Sequence, residues 1–162
     1  FRDGIAPELG REGFGFTVLD GDGEVIAAAF GIPPPWIRGI EGAEAWALYQ
    51  SFLVTLPCMS RYWPDCLPTA RAMWKGPTVA HDPTNVLARI HGMMHAALDP
   101  EDLHRIGWMP SHLKESELGT AMKSDGILVN TWDLRENRLA DELAKMAVGV
   151  SSSRRVGSQA LA

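Results

Sequence analysis

Four acids fall where carboxylates can converge: Asp3 just ahead of a strand pair, Glu44 in the first turn of a helix, Asp65 at the end of a short strand, and Asp141 within the last helix. In an α/β sheet, strand ends and opening turns of helices are where sites assemble. Asp3 and Asp65 become neighbours there if their strands are adjacent. Four carboxylates in one place repel one another strongly and are tolerable only with cations between them, so the chemistry on offer is divalent-metal binding. Each acid also has a structural reading of its own. Asp65 can cap the short helix that follows it. Glu44 can be a solvated acid helped by the helix dipole, with Glu41 one turn earlier as its rival. Asp141 can pair on the helix surface with Arg138 or Lys145, and Asp3 can be a loop acid. The set, rather than any member, carries the metal reading.

The elements that must position these acids follow from local pattern. GFGFTVL and EVIAAAFG read as two strands, and Asp20-Gly21-Asp22-Gly23 between them is a tight-turn signal, so the two form a hairpin. Pro33-Pro34-Pro35 ends it. Residues 41–56 have helical apolar spacing, with Trp46 and Leu53 near the face of Ala43, Ala47 and Val54, and Pro57 as the stop. A short strand is expected at Ser60–Trp63, a short helix at Pro68–Trp74, and a helix capped by Asp82 with Pro83 in its first turn, buried through Val86, Ile90, Met93, Met94 and Ala97. Leu103–Met109 reads as a strand, 113–132 as a long polar loop, and Leu134–Val148 as the last helix, buried through Leu139, Leu143, Met146 and Ala147. The remaining residues, 149–162, are small and polar and read as a disordered tail.

Other chemistry-bearing residues are weaker candidates. His91 and His95 have the i, i+4 spacing of a zinc pair, but the string HGMMH lacks the general-base Glu of the zinc-protease motif, and a partly exposed helix face is the plainer reading. Trp74 beside Arg71 and Lys75 forms a basic-aromatic group suited to nucleic acid.

The ordered pieces Asp3-Gly4, the hairpin from GFGF to EVIAAAFG, Ala43-Glu44-Ala45-Trp46-Ala47-Leu48, Asp65-Cys66, Trp108-Met109-Pro110-Ser111-His112 and Asn137-Arg138-Leu139-Ala140-Asp141-Glu142-Leu143-Ala144 together resemble a type 1 ribonuclease H domain, in the form attached to retroelement reverse transcriptases. The resemblance covers residues 1–148. It implies a five-stranded mixed α/β sheet with helices on both faces. The first strand would be truncated, because only Phe1 and Arg2 precede Asp3. It implies Asp3, Glu44, Asp65 and Asp141 as metal ligands, His112 as an auxiliary catalytic residue near the leaving group, and Mg²⁺ or Mn²⁺ as cofactor. The implied reaction is hydrolysis of the RNA strand of an RNA–DNA hybrid, with ionised carboxylates and no strongly raised pKa. An upstream reverse-transcriptase domain is the implied partner, and the lack of a starting Met fits a piece of a longer polypeptide.

Bulk properties bound the alternatives. A length of 162 residues with 46% hydrophobic and 22% charged residues suits one globular domain. No apolar run is long enough to span a membrane, and the N-terminus has no signal-peptide pattern. Two cysteines read as free thiols in a reducing compartment, nuclear or cytoplasmic. The net charge of −5 argues against tight sequence-independent nucleic-acid binding through a broad basic face. It counts less against a metal-loaded carboxylate site, whose cations offset part of that charge. The rival readings are a related module that binds without cutting, and another metal nuclease such as an integrase or resolvase.

Overall fold

The structure is a computed structural model that describes residues 12–55 and 60–159, with side chains through residue 149. Strands β1 (Phe14–Leu19) and β2 (Val25–Gly31) form the expected antiparallel hairpin. Its turn is built by Asp20, whose Oδ1 accepts the backbone N–H groups of Asp22 and Glu24, each at 2.9 Å. Gly23 supplies the positive φ of 82° that such a turn needs. The register steps from Val18 opposite Ala27 to Leu19 opposite Val25, so Ile26 is the extra residue of a bulge.

Four α-helices follow: α1 (Ile40–Thr55), α2 (Leu67–Trp74), α3 (Ala88–Ala97) and α4 (Thr131–Gln159). Short 3-10 turns occupy Pro77–Ala80, Pro100–Arg105 and Glu115–Glu117. The core lies among α1, α2 and α3, where Ala45, Leu48 and Phe52 meet Met73, Ile90, Met94 and Leu98, with Tyr62 and Ile106 sealing one end. Phe52 and Tyr62 meet edge to face at 4.7 Å, and the Tyr62 hydroxyl shares a 2.7 Å hydrogen bond with Thr55.

Helix α4 packs across both strands, and glycine makes this possible. A Cβ on Gly15 would lie 2.5 Å from the Ala140 carbonyl oxygen and 2.8 Å from Leu143 Cβ, and one on Gly13 would overlap the Ala144 carbonyl. Strand and helix backbones therefore meet with no side chain between them. Gly15→Val is expected to destabilise the fold by about 1–3 kcal/mol, the usual range for forced overpacking. A urea midpoint equal to wild type would mean that β1 and α4 are not in this contact.

The five-stranded mixed sheet is corrected by the structure. The described residues hold a single two-stranded antiparallel sheet in a mostly helical chain. The expected strands at 60–63 and 103–109 meet at one parallel bridge, Tyr62 to Ile106, with flanking bonds from Gly107 N to Tyr62 O and Met109 N to Pro64 O. Pro64 and Pro68 interrupt the first segment. The second begins as a 3-10 turn from Pro100, and the spacing of Leu103 and Ile106 suits such a turn better than an alternating strand. A strand ending at Asp3 lies outside the described residues.

Helix boundaries also moved, for local reasons. Asp82 holds only a turn, its Oδ1 accepting Thr84 N–H at 2.9 Å. Asn85 then bonds Leu87 N–H, and α3 starts six residues beyond Asp82. At α4, Asn130 accepts the N–H groups of Trp132 and Asp133, while Asp133 accepts the Asn130 N–H, a reciprocal cap that opens the helix ahead of Leu134. The helix runs to Gln159, past Val148. The 113–132 stretch contains a 3-10 turn and a bridge between Met122 and Leu128. Among the described residues no helix is long and apolar enough to cross a membrane.

Candidate functional site

Three of the four acids come together from distant parts of the chain. Glu44 projects from α1, just past its first turn because the helix begins at Ile40. Asp65 precedes α2, and Asp141 lies on α4. Burial, then the neighbouring carboxylates of Asp65 and Asp141, push the Glu44 pKa up to about 8. Asp65 is likewise raised, by burial first and Asp141 second, against a side-chain hydrogen bond from Asn137 and the nearby His112. Asp3 lies outside the described residues.

The structural alternatives for these acids find little support. The residue at the N-cap of α2 is Cys66, without a side-chain cap bond, so Asp65 is not the cap. Lys145 bonds Glu142 at 2.7 Å and Arg138 bonds Glu115 at 3.4 Å, so the cations expected to pair with Asp141 have closer acidic partners. Glu41, the rival of Glu44, is exposed whereas Glu44 is half-buried. His112 is exposed and adopts φ 55°, the left-handed conformation, which is uncommon outside glycine and concentrates at constrained loops.

The donor set is three carboxylates, and in Glu44 and Asp65 burial and then the neighbouring acids disfavour the charged form, a cost that a hard divalent cation relieves. In that sense the residues fit Mg²⁺ or Mn²⁺. As positioned, however, no group of three or more His, Cys, Asp or Glu side chains among the described residues is close enough to enclose an ion. The raised Glu44 pKa departs from the expectation of unperturbed carboxylates. Its physical origin is tertiary, because helix α1 buries the group beside two other acids.

A consequence is measurable without metal. Glu44 keeps its proton in the folded chain up to about pH 8, whereas the unfolded side chain loses it near 4.5. Between those values the native state binds more protons, so this group's contribution to stability falls as pH rises across that window and levels off above it. Stability in EDTA is expected to decline from pH 5 to pH 8, and Glu44→Gln to flatten the decline. His91 and His95, whose pKa values burial lowers, act in the opposite sense as pH falls below the ordinary histidine value, and both proteins share that term. Identical pH slopes in urea titrations of the two proteins would refute the buried, acid-flanked placement of Glu44.

The other candidates resolve more simply. His91 is buried rather than partly exposed, with Nδ1 2.9 Å from the Asn85 amide, and His95 Nε2 lies 3.3 Å from the Ala72 carbonyl. Both serve packing between helices. Cys66 is a free thiol whose pKa is raised, chiefly by burial; Cys58 lies outside the described residues. Trp74 is exposed with Arg71 and Lys75, although its indole N–H is committed to the Ile106 carbonyl at 2.8 Å. Asn137 was not singled out by residue type, yet it sits one helical turn before Asp141 and reaches Asp65. The i, i+4 spacing on α4 was the available signal. Protein-family models, curated proteins and solved structures contain no match to this chain.

Proposed function

We propose that the chain is a metal-dependent endonuclease that hydrolyses the RNA strand of RNA–DNA hybrids. The observation that supports this reading is the convergence of Glu44, Asp65 and Asp141 from α1, the segment before α2, and α4, with His112 beside Asp65. Residues this far apart in sequence have no local reason to gather three carboxyl groups, one of which is left holding its proton to about pH 8. The sequence resemblance to type 1 ribonuclease H domains supplies the substrate class, and attachment to a retroelement reverse transcriptase belongs to the same proposal.

In this reading Glu44, Asp65 and Asp141, with Asp3 as the fourth acid, hold the divalent cations. The chemistry supplied by bound cations is activation of water and stabilisation of the leaving oxygen. Glu44 would serve as a ligand only in its deprotonated form, and below about pH 8 it holds its proton. Asn137 lies near the Asp65 carboxyl and favours its charged form. His112, exposed and near Asp65, would handle a proton at the departing oxygen. Recognition rests on hybrid shape and 2′-hydroxyl groups rather than base reading.

The test is cleavage of a hybrid labelled on each strand, in Mg²⁺ and then in EDTA. Mg²⁺-dependent cutting of the RNA strand alone is expected. Hybrid binding by a folded protein without cutting would replace this reading with a binding module. Cutting of duplex DNA would point to an integrase-like or resolvase-like activity.

A further inference from the structure

We infer that Trp108 is a positioning residue for the carboxylate site, fastening the main chain at Asp65 to the segment that carries His112. This inference rests on the nuclease reading for its functional consequence, but the fastening itself is a matter of geometry.

The indole N–H of Trp108 donates to the main-chain carbonyl of Asp65 at 2.9 Å, across 43 residues of sequence. The ring is held at its own backbone as well. Trp108 N–H donates to the Ser124 hydroxyl at 2.8 Å, and the Trp108 carbonyl accepts the Ser124 N–H at 2.9 Å. One residue further on, Met109 N–H donates to the Pro64 carbonyl at 3.2 Å. The neighbouring Lys123 is itself anchored, with Nζ 3.1 Å from both Asp133 carboxylate oxygens and 4.7 Å from the centre of the Trp63 ring. The anchors lie on either side of the acid: Trp63 and Pro64 precede Asp65, and Asp133 stands at the start of α4, two turns before Asp141.

The indole is therefore tied at both ends. One end is fixed to a loop braced on α4, and the other holds the peptide of Asp65. Asp65 sits beyond the Tyr62 to Ile106 bridge, where the Met109 N–H bond to Pro64 holds the peptide on its N-terminal side. The peptide that carries the Asp65 carbonyl has the Trp108 indole as its partner across the segment. The Trp108 bond fixes that peptide and leaves the side chain to Asn137. Four residues beyond Trp108 lies His112, so the same tether sets the spacing between the acid and the histidine. Small displacements of a catalytic group are costly, and supporting residues of a metal site commonly change activity by roughly 10–100-fold.

The test compares Trp108→Phe, which keeps an aromatic ring and deletes the N–H, with Ser51→Ala, which deletes a buried hydroxyl bond to the Leu48 carbonyl within α1. Both are expected to fold with modest losses in melting temperature. The first readout is the ¹³C resonance of the Asp65 side-chain carboxyl in metal-free protein, assigned by its disappearance in Asp65→Asn. The second is kcat and KM for hybrid cleavage. Trp108→Phe is expected to move or split the Asp65 resonance and lower kcat by roughly 10-fold or more at unchanged KM, while Ser51→Ala does neither. An unmoved Asp65 resonance in Trp108→Phe overturns the inference whatever the activity. A moved resonance in a protein whose wild type does not cut supports the tether and refutes the nuclease reading instead.

Discussion

Asp65→Asn is expected to lower Mg²⁺-dependent hybrid cleavage by on the order of 10³-fold, the upper part of the range for removing one preorganised electrostatic contact to a transition state. The substitution keeps shape and removes charge. The Trp108 indole bonds the main-chain carbonyl at this position, so that contact survives, and Asn137 can still donate to the new side-chain oxygen. Fold and melting temperature should therefore change little, and the loss should lie in kcat and in the Mg²⁺ concentration needed for half-maximal rate. Removing the Asp65 charge also removes one cause of the raised Glu44 pKa, so the variant should show a weaker pH dependence of metal-free stability. Cleavage within a few-fold of wild type would exclude Asp65 from the site.

Phe52→Ala carries the largest expected stability effect. Phe52 is fully buried on α1, edge-on to Tyr62 within the main core. Large-to-small changes of this kind cost about 3–5 kcal/mol, because lost burial and an unfilled cavity add. That is a large share of the stability of a typical domain, and urea unfolding would read it directly. The effect should extend to the site. Tyr62 leads through Trp63 and Pro64 to Asp65, and its N–H and carbonyl make the bonds to Arg105 and Gly107 that hold this segment beside 105–109. The variant is therefore expected to lose hybrid cleavage at temperatures where it is still mostly folded. A cost below about 1 kcal/mol would mean that the ring is not packed as described.

Local signals gave the hairpin and α1 nearly to the residue, because both are encoded by neighbours in sequence. Asp20 and Gly23 build the turn by themselves, and the α1 bounds follow from local composition, although the face expected to be buried differed, with Leu53 and Val54 exposed and Leu48 and Phe52 in the core. The start of α4 was equally local. Asn130 and Asp133 form its reciprocal cap, just ahead of the apolar pattern that begins at Leu134. The central sheet was different. Short apolar runs such as Ser60–Trp63 and Leu103–Met109 carry little information about pairing, and they met at one bridge instead of forming a ladder.

The amino-acid sequence determined which groups are available: carboxylates at 44, 65 and 141, a histidine at 112, and a composition fit for one core. Side-chain type is a covalent property and needs no fold. Tertiary structure alone decided that these acids meet, that Glu44 holds its proton to about pH 8, and that Asn137 and Trp108 stand behind Asp65. Those outcomes depend on α4 lying against Gly13 and Gly15, on α1 and α2 closing around the core, and on bonds spanning tens of residues. Burial and proximity are properties of packed surfaces, and local sequence pattern does not report them.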